Sequence, residues 1–396
     1  MVLSYKHTKL ACYGSYMTSA IASNYPPVLF IIFHKQFGLS LGALGILISI
    51  NFGVQMFADI IGANTIDKIG YRKTAVVANF LVATGIILMT FLTFLMSSKF
   101  LALSIATVTY AIGSGLLEVL ISPVMEAIPE NTKASNMSFL HSFYSWGQLL
   151  AILVTTLFVQ FFGSQNWWII GFIWTSIPLF SAILFAKVPI NTLPKEEKKS
   201  SSKLFKNKIY WLFLLLILAS GASEIAVSQW ASIFVETALG VSKTMGDLLG
   251  PCMFALLMGI SRVLYAKYAK KLNFSSYMVL CSVLCTLAYI IMVFVPNKYI
   301  ALAAVGLVGF SVGIMWPGAL SLASVRFPLG GTALFAYMAI FGDIGCTFGP
   351  ATAAFFSENT SFFASPLKSG ILSCTIFPVT VIVLTLILKK MGRKNA

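Results

Sequence analysis

Twelve long apolar stretches joined by short polar loops constrain this chain more than any other feature. They cover residues 9–33, 41–66, 74–96, 100–125, 137–162, 166–187, 209–238, 244–266, 274–296, 298–325, 331–357 and 366–388. Each is long enough to cross a bilayer as a helix, which takes about 20 mostly apolar residues. In hydrocarbon every backbone N–H and C=O must bond within the protein, so stretches of this length span as helices. The predicted fold class is all-α integral membrane, with 12 transmembrane helices, numbered here as spans 1 to 12. With 58% hydrophobic and 10% charged residues, the chain also has too little charge to cover a soluble surface.

The net charge of +15 raises the question of nucleic acid. The positions of the charges answer it. With the N-terminus in the cytoplasm, all but five of the 27 Lys and Arg residues fall on the cytoplasmic side or its helix ends. The five are Lys35, Lys99, Lys243, Lys298 and Lys368. This is the positive-inside bias, so both termini are predicted cytoplasmic, in the cell (plasma or inner) membrane, with no nucleic-acid partner. Met1–Thr8 is too short and polar for a cleavable signal, and the first span is expected to be retained. Cys12, Cys252, Cys281, Cys285, Cys346 and Cys374 all fall within spans and read as small buried apolar residues.

The one long polar stretch, "PINTLPKEEKKSSSKLFKNK" at 189–208, separates six spans from six. It reads as a cytoplasmic linker between bundles at 1–188 and 209–396, with room for an amphipathic surface helix around Leu204 and Phe205. The halves echo each other. Pro123 aligned with Pro317 sets Gly115 opposite Gly309, and "WGQL" (146–149) aligns with "FGDI" (341–344). Two pseudo-symmetric six-helix bundles left by a duplication are predicted. A membrane enzyme is the rival class. With only His7, His34 and His141, no HExxH zinc site can be built, and "IFGD" (340–343) lacks the first glycine of GxGD. No GxSxG elbow or phosphate loop is present either, so no catalytic residue, metal or cofactor is expected.

Four carboxylates lie inside spans: Asp59, Glu118, Glu224 and Asp343. A charge at the bilayer centre costs about 2.5–3.5 kcal/mol on insertion scales, so such residues face a cavity or a partner. No Lys or Arg is expected at mid-depth to neutralise them, with Arg262 in the inner half of span 8. A carboxylate buried without a cation holds its proton, as a coupling residue must. "GSGLLEVLISPV" (113–124) isolates Glu118, which is the predicted proton-coupling residue. Glu224 in "ASGASEIAVSQW", followed by Gln229 and Trp230, and Asp343 in "FGDIGCTFGP" are candidates for lining a substrate site. Asp59 lies nearer the cytoplasm and is expected to pair with Arg72, Lys73 or Arg262. Most aromatics are expected to be core or lipid-facing, and Trp167 and Trp168 read as interfacial anchors. Tyr144, Trp146, Trp230, Trp316 and Tyr337 fall on helices able to reach a cavity, where aromatic faces suit a sugar.

At 62–73, "GANTIDKIGYRK" resembles the loop between helices 2 and 3 of the major facilitator superfamily. Asp67, Lys68, Gly70, Arg72 and Lys73 stand in the expected order, with Ala63 in place of the first glycine. Gly70 permits a tight turn, and the charged side chains can pair and meet helix ends. The resemblance implies that superfamily's fold, with helices 1, 4, 7 and 10 around a central cavity, and alternating access between the halves. It also implies a conformational latch, to which Asp59, Asp67, Lys68, Gly70, Arg72, Lys73 and Arg262 are assigned. The second-half loop "GISRVLYAKYAKK" (259–271) keeps Gly259, Arg262 and a lysine cluster but no acid, so latching is expected to be asymmetric.

"LLEVLISPV" and "LHSFYSWG" (140–147) are similar to the fourth and fifth helices of fucose-permease-type sugar transporters. "SNYPPVLF" places Asn24 at a sugar-contacting asparagine of that type. Pro27 stands where that type carries a protonatable aspartate, and His141 and Tyr144 where it has amides. The likeness implies a sugar or other small polar solute. Asn24, His141, Tyr144, Gln148, Glu224, Gln229, Trp230, Trp316, Tyr337 and Asp343 are the substrate-binding candidates. The expected function is secondary active transport by proton symport, in a monomer embedded in the lipid bilayer. Sodium would be served equally well by carboxylates and by Asn, Ser or backbone oxygens. A proton-driven drug or metabolite exporter of the same fold is the nearest alternative. However, "GQLLAILVTTLF" in span 5 lacks the proline that many antiporters of the superfamily place in GxxxGP. A transport-dead solute receptor is the third reading.

Overall fold

The described parts of the predicted spans are helical, with short breaks, in the computed structural model, which describes residues 3–39, 41–130, 133–191, 204–235, 240, 245–246, 248–269, 271–359, 363 and 365–394. Most of the linker (192–203), the end of span 7 and Lys243 lie outside the described residues. In chain order the helices are α1 (Tyr5–Val28), α2 (Phe30–Phe37), α3 (Leu41–Ile69), α4 (Tyr71–Leu95), α5 (Lys99–Glu126), α6 (Lys133–Phe162) and α7 (Trp167–Lys187). They continue as α8 (Lys208–Ile233), α9 (Met253–Tyr268), α10 (Phe274–Phe294), α11 (Lys298–Val312), α12 (Met315–Arg326), α13 (Gly331–Asn359), α14 (Pro366–Ser373) and α15 (Ile376–Lys394). Among the described residues ten segments, spans 3 to 12, are long and apolar enough to cross a membrane. Spans 1 and 2 correspond to α1 with α2 and to α3, whose apolar portion is Ile46–Gly62.

Proline accounts for the interruptions. Pro26 and Pro27 lack the N–H that the helical ladder needs, and span 1 breaks after Val28, where the Leu29 N–H turns back to the Pro26 carbonyl. A π-helical turn, Leu248–Cys252, contains Pro251 and leads into α9. In span 10, Pro317 cannot donate to the carbonyl four residues earlier, that of Gly313, and the chain breaks into α11 and α12 there. Asparagines close several helix starts: Asn207, Asn273 and Asn297 accept from the first N–H groups of α8, α10 and α11.

The chain divides into two compact units, Met1–Glu130 with Phe143–Lys195 and Asn131–Ser142 with Glu196–Ala396. In the first, α5 packs on α4, α3 and α1, while α7 packs on α4 and α1. In the second, α11 packs on α10, α9 and α8, while α15 packs on α10 and α8. Advancing each span in these first-unit pairs by six gives these second-unit pairs, which is the pseudo-symmetry expected of a duplication. The aligned glycines do the same work in each unit. A Cβ on Gly115 would lie 2.7 Å from the Gln55 carbonyl of α3, and one on Gly309 would run into the Phe254 carbonyl of α9. Both positions let two helix backbones touch.

Trp167 corrects an expectation. It is 1% exposed and so is core, not an interfacial anchor. Phe33 and Phe37 pack edge-on against its ring, and the Tyr25 hydroxyl donates to its carbonyl, so the indole closes α2 and the end of α1 onto α7. All six cysteines are buried. Leu204 in the linker is buried as well.

Candidate functional site

In the first unit, Glu118 lies on α5 about two turns before its C-terminal end and is half-buried. Around it the helix is apolar, and Gly115, one turn earlier, brings α5 against Ala58 and Asp59 of α3. Asp59 is fully buried. It completes a polar face on α3 with Asn51 and Gln55, which are 5% and 4% exposed. Ser114 donates to Gln55 Oε1 at 3.4 Å, tying this face to α5. The spacing of four residues between Asn51, Gln55 and Asp59 marks one helix face in the sequence.

The remaining first-unit substrate candidates lie on two helices. Asn24 is half-buried on α1 and donates to the Ala20 carbonyl of its own helix. On α6, Tyr144 is half-buried and Gln148 buried. Gly147 between them sits against Met17 and Ala20 of α1. The loop motif is built as local chemistry at helix ends. Gly70 has φ +95° and caps α4, a conformation that glycine supplies without strain. Tyr71 donates to Asp67 at 3.1 Å. Arg72 reaches the carbonyls of Phe185 and Val188 at the end of α7, at 2.9 and 2.8 Å. Lys68 occupies the last turn of α3, where its charge meets the negative helix end, and Lys73 is exposed.

The second unit holds a buried ion pair that the sequence reading did not anticipate. Arg262 of α9 is 2% exposed, and its Nη2 lies 3.2 Å from Glu224 Oε2 of α8. A cation therefore does neutralise one of the four intramembrane carboxylates, contrary to expectation. The guanidinium is held by more than its counter-ion. Nε donates to the Gly313 carbonyl at 2.8 Å, the acceptor that Pro317 leaves outside the ladder. Nη1 donates to the His141 carbonyl at 2.8 Å, and Ser138 donates back to the Arg262 carbonyl at 2.9 Å. His141 is itself buried. Planar, forked and always charged, an arginine suits such a three-way junction better than lysine.

The other second-unit candidates make contacts of their own. The Trp316 ring covers Gly221 of α8 and Gly342 of α13, beside buried Asp343. Gln229 is half-buried, and Trp230 Nε1 donates to the Pro350 carbonyl at 3.3 Å. Tyr337 packs edge-on against Phe205, at the linker end of α8.

Two units of apolar spans, pseudo-symmetric and carrying acid side chains within them, define a multi-pass membrane protein with polar interior sites. The chain belongs to the Major Facilitator Superfamily, whose family model matches residues 12–350. An uncharacterized transporter of Bacillus subtilis (strain 168), YwbF, is 26% identical over 212 residues, a match spanning 51% of this chain and 51% of that protein. Among solved structures, the E. coli fucose:proton symporter FucP superposes with a TM-score of 0.79 at 14% identity, covering 97% of this chain and 99% of that one. The proton:xylose symporter XylE bound to 6-bromo-6-deoxy-D-glucose gives 0.80 at 14% identity, covering 97% of this chain and 95% of that one. At such identities the structural likeness speaks for the fold.

Proposed function

We propose that the protein is a secondary active transporter for a sugar-like small polar solute, driven by proton symport through alternating access. Glu118 is the proton carrier in this reading. The supporting observation is its half-buried position inside span 4, about two turns before the end of α5. Lipid-facing charge is costly, so a partly accessible glutamate here serves best facing a hydrated cavity from which it can take and release a proton. Fully buried, ion-paired Glu224 is less suited to exchange and is assigned to the substrate site. It joins Asn24, His141, Tyr144, Gln148, Gln229, Trp230, Trp316, Tyr337 and Asp343 there, while Asp59 and the loop charges with Arg262 serve the latch. The names of FucP and XylE as sugar:proton symporters lend support to this solute class.

Uptake into cells expressing Glu118→Gln tests the assignment. The variant is expected to bind and equilibrate solute but not to concentrate it against a gradient. Accumulation at the wild-type level would remove Glu118 from the coupling role. A thermal-shift screen against sugars, amino acids and nucleosides identifies the solute, and flux with and without a pH gradient separates proton from sodium drive.

A further inference from the structure

The acid-free second copy of the loop motif sits beside a cavity. About 380 Å³ in volume, it opens where α9 ends and α10 begins, lined by Leu264, Tyr265, Tyr268, Lys271, Leu272 and Tyr277. Tyr265 is buried and stacks on Tyr277 with ring centroids 5.4 Å apart, forming the inner wall. Leu264, Tyr268 and Leu272 are 39%, 42% and 38% exposed and form an open apolar side. The rim is basic. Lys271 belongs to the lining, the Lys267 ammonium lies 5.6 Å from the centroid of the Tyr268 ring, and Lys389 donates to Ser276, the neighbour of Tyr277. No Asp or Glu occurs in 259–271 to offset these lysines.

An apolar groove at the ends of two membrane helices, rimmed by lysines, matches a molecule with a hydrocarbon chain and an anionic head. We propose that this groove binds one anionic phospholipid. Its acyl chain lies along Leu264, Tyr268 and Leu272, and its phosphate meets Lys271 and Lys267. Lysine near a membrane surface attracts anionic lipid, and tyrosine favours the interface between headgroup and hydrocarbon. A soluble metabolite would need more polar groups in the wall than tyrosine hydroxyls supply. The site is independent of which solute the protein carries. Tyr265 lies one turn beyond Arg262 on α9, so occupancy braces the helix that holds the buried ion pair.

The test uses the full-length protein purified in detergent, with phosphatidylglycerol, phosphatidylcholine or inorganic phosphate added at equal concentration. Phosphatidylglycerol is expected to raise the thermal midpoint more than phosphatidylcholine, and inorganic phosphate to leave it unchanged. The double variant Lys267→Gln, Lys271→Gln should lose at least half of that excess, and the groove-filling Leu272→Trp should lose it too. Native mass spectrometry should retain one phosphatidylglycerol per wild-type chain in competition with phosphatidylcholine. This reads the site even if a variant fails to fold. Equal retention of both lipids, an undiminished excess in both variants, or the same shift with inorganic phosphate would overturn the proposal.

Discussion

Glu118 and Glu224 both sit in helices rich in glycine, alanine and serine, yet the protein treats them differently. Glu118 stays half-buried within α5, whereas Glu224 is buried and engaged by Arg262. The cause lies outside either helix. Pro317 breaks span 10, the break frees the Gly313 carbonyl, and that carbonyl helps to hold a guanidinium where Glu224 can reach it. The span 4 counterpart, Pro123, lies within an unbroken α5. The same residue at an aligned position thus opens a helix in one unit and leaves it continuous in the other. One glutamate becomes part of a junction, and the other stays half-buried on its own helix.

The sharpest way to break this contrast is Arg262→Ala. Removing one partner of a buried pair typically costs about 3–5 kcal/mol, because the remaining charge is left uncompensated. The variant should show the largest fall in thermal midpoint, with much of it regained in Arg262→Met combined with Glu224→Met. Glu118→Gln should move the midpoint by only a small fraction of that amount. Equal losses in Arg262→Ala and Glu118→Gln would mean that the two glutamates are alike after all.

Where the units do match, paired substitutions should act in parallel. Gly115→Ala and Gly309→Ala each force a methyl group onto a neighbouring backbone carbonyl, of Gln55 and Phe254 respectively. Overpacking of this kind costs about 1–3 kcal/mol. Thermal denaturation of the two variants should give losses of similar size. A loss in one unit alone would show that the shared contact carries weight in only one half of the duplication.

These comparisons also show which features a sequence can reveal. The spans were legible because crossing a bilayer sets a minimum length, and Gly115 and Gly309 were legible because an alignment by proline places them together. Gly70 was legible because a loop motif confines it to a turn. The ion pair was not, since Glu224 and Arg262 lie on different helices and nothing local couples them. Trp167 looks like an interfacial tryptophan until Phe33 and Phe37 are seen to fold over it. Tyr337 was placed by helix membership alone, whereas its ring is held by Phe205 beyond the start of the neighbouring helix. Asn51 and Gln55 carried a readable spacing with Asp59, but as neutral amides they drew no attention beside the carboxylates.

The smallest expected effect concerns the other arginine. Arg72 is exposed and donates to two carbonyls at the end of α7, so it contrasts with Arg262 in burial but resembles it in donating to backbone carbonyls. A cation at a helix C-terminus contributes about 0.3–1 kcal/mol. Arg72→Ala should therefore leave the global midpoint nearly unchanged and speed amide exchange at the end of α7 and the start of α4. Exchange in α9 should not move. Arg72→Lys keeps the charge but cannot fork to both the Phe185 and Val188 carbonyls, and it should fall between the two. If Arg72→Ala instead slows solute flux while exchange at the α7 end stays at the wild-type rate, the arginine acts in the latch and its carbonyl contacts are incidental. If both change together, capping of α7 and the working of the latch belong to one device.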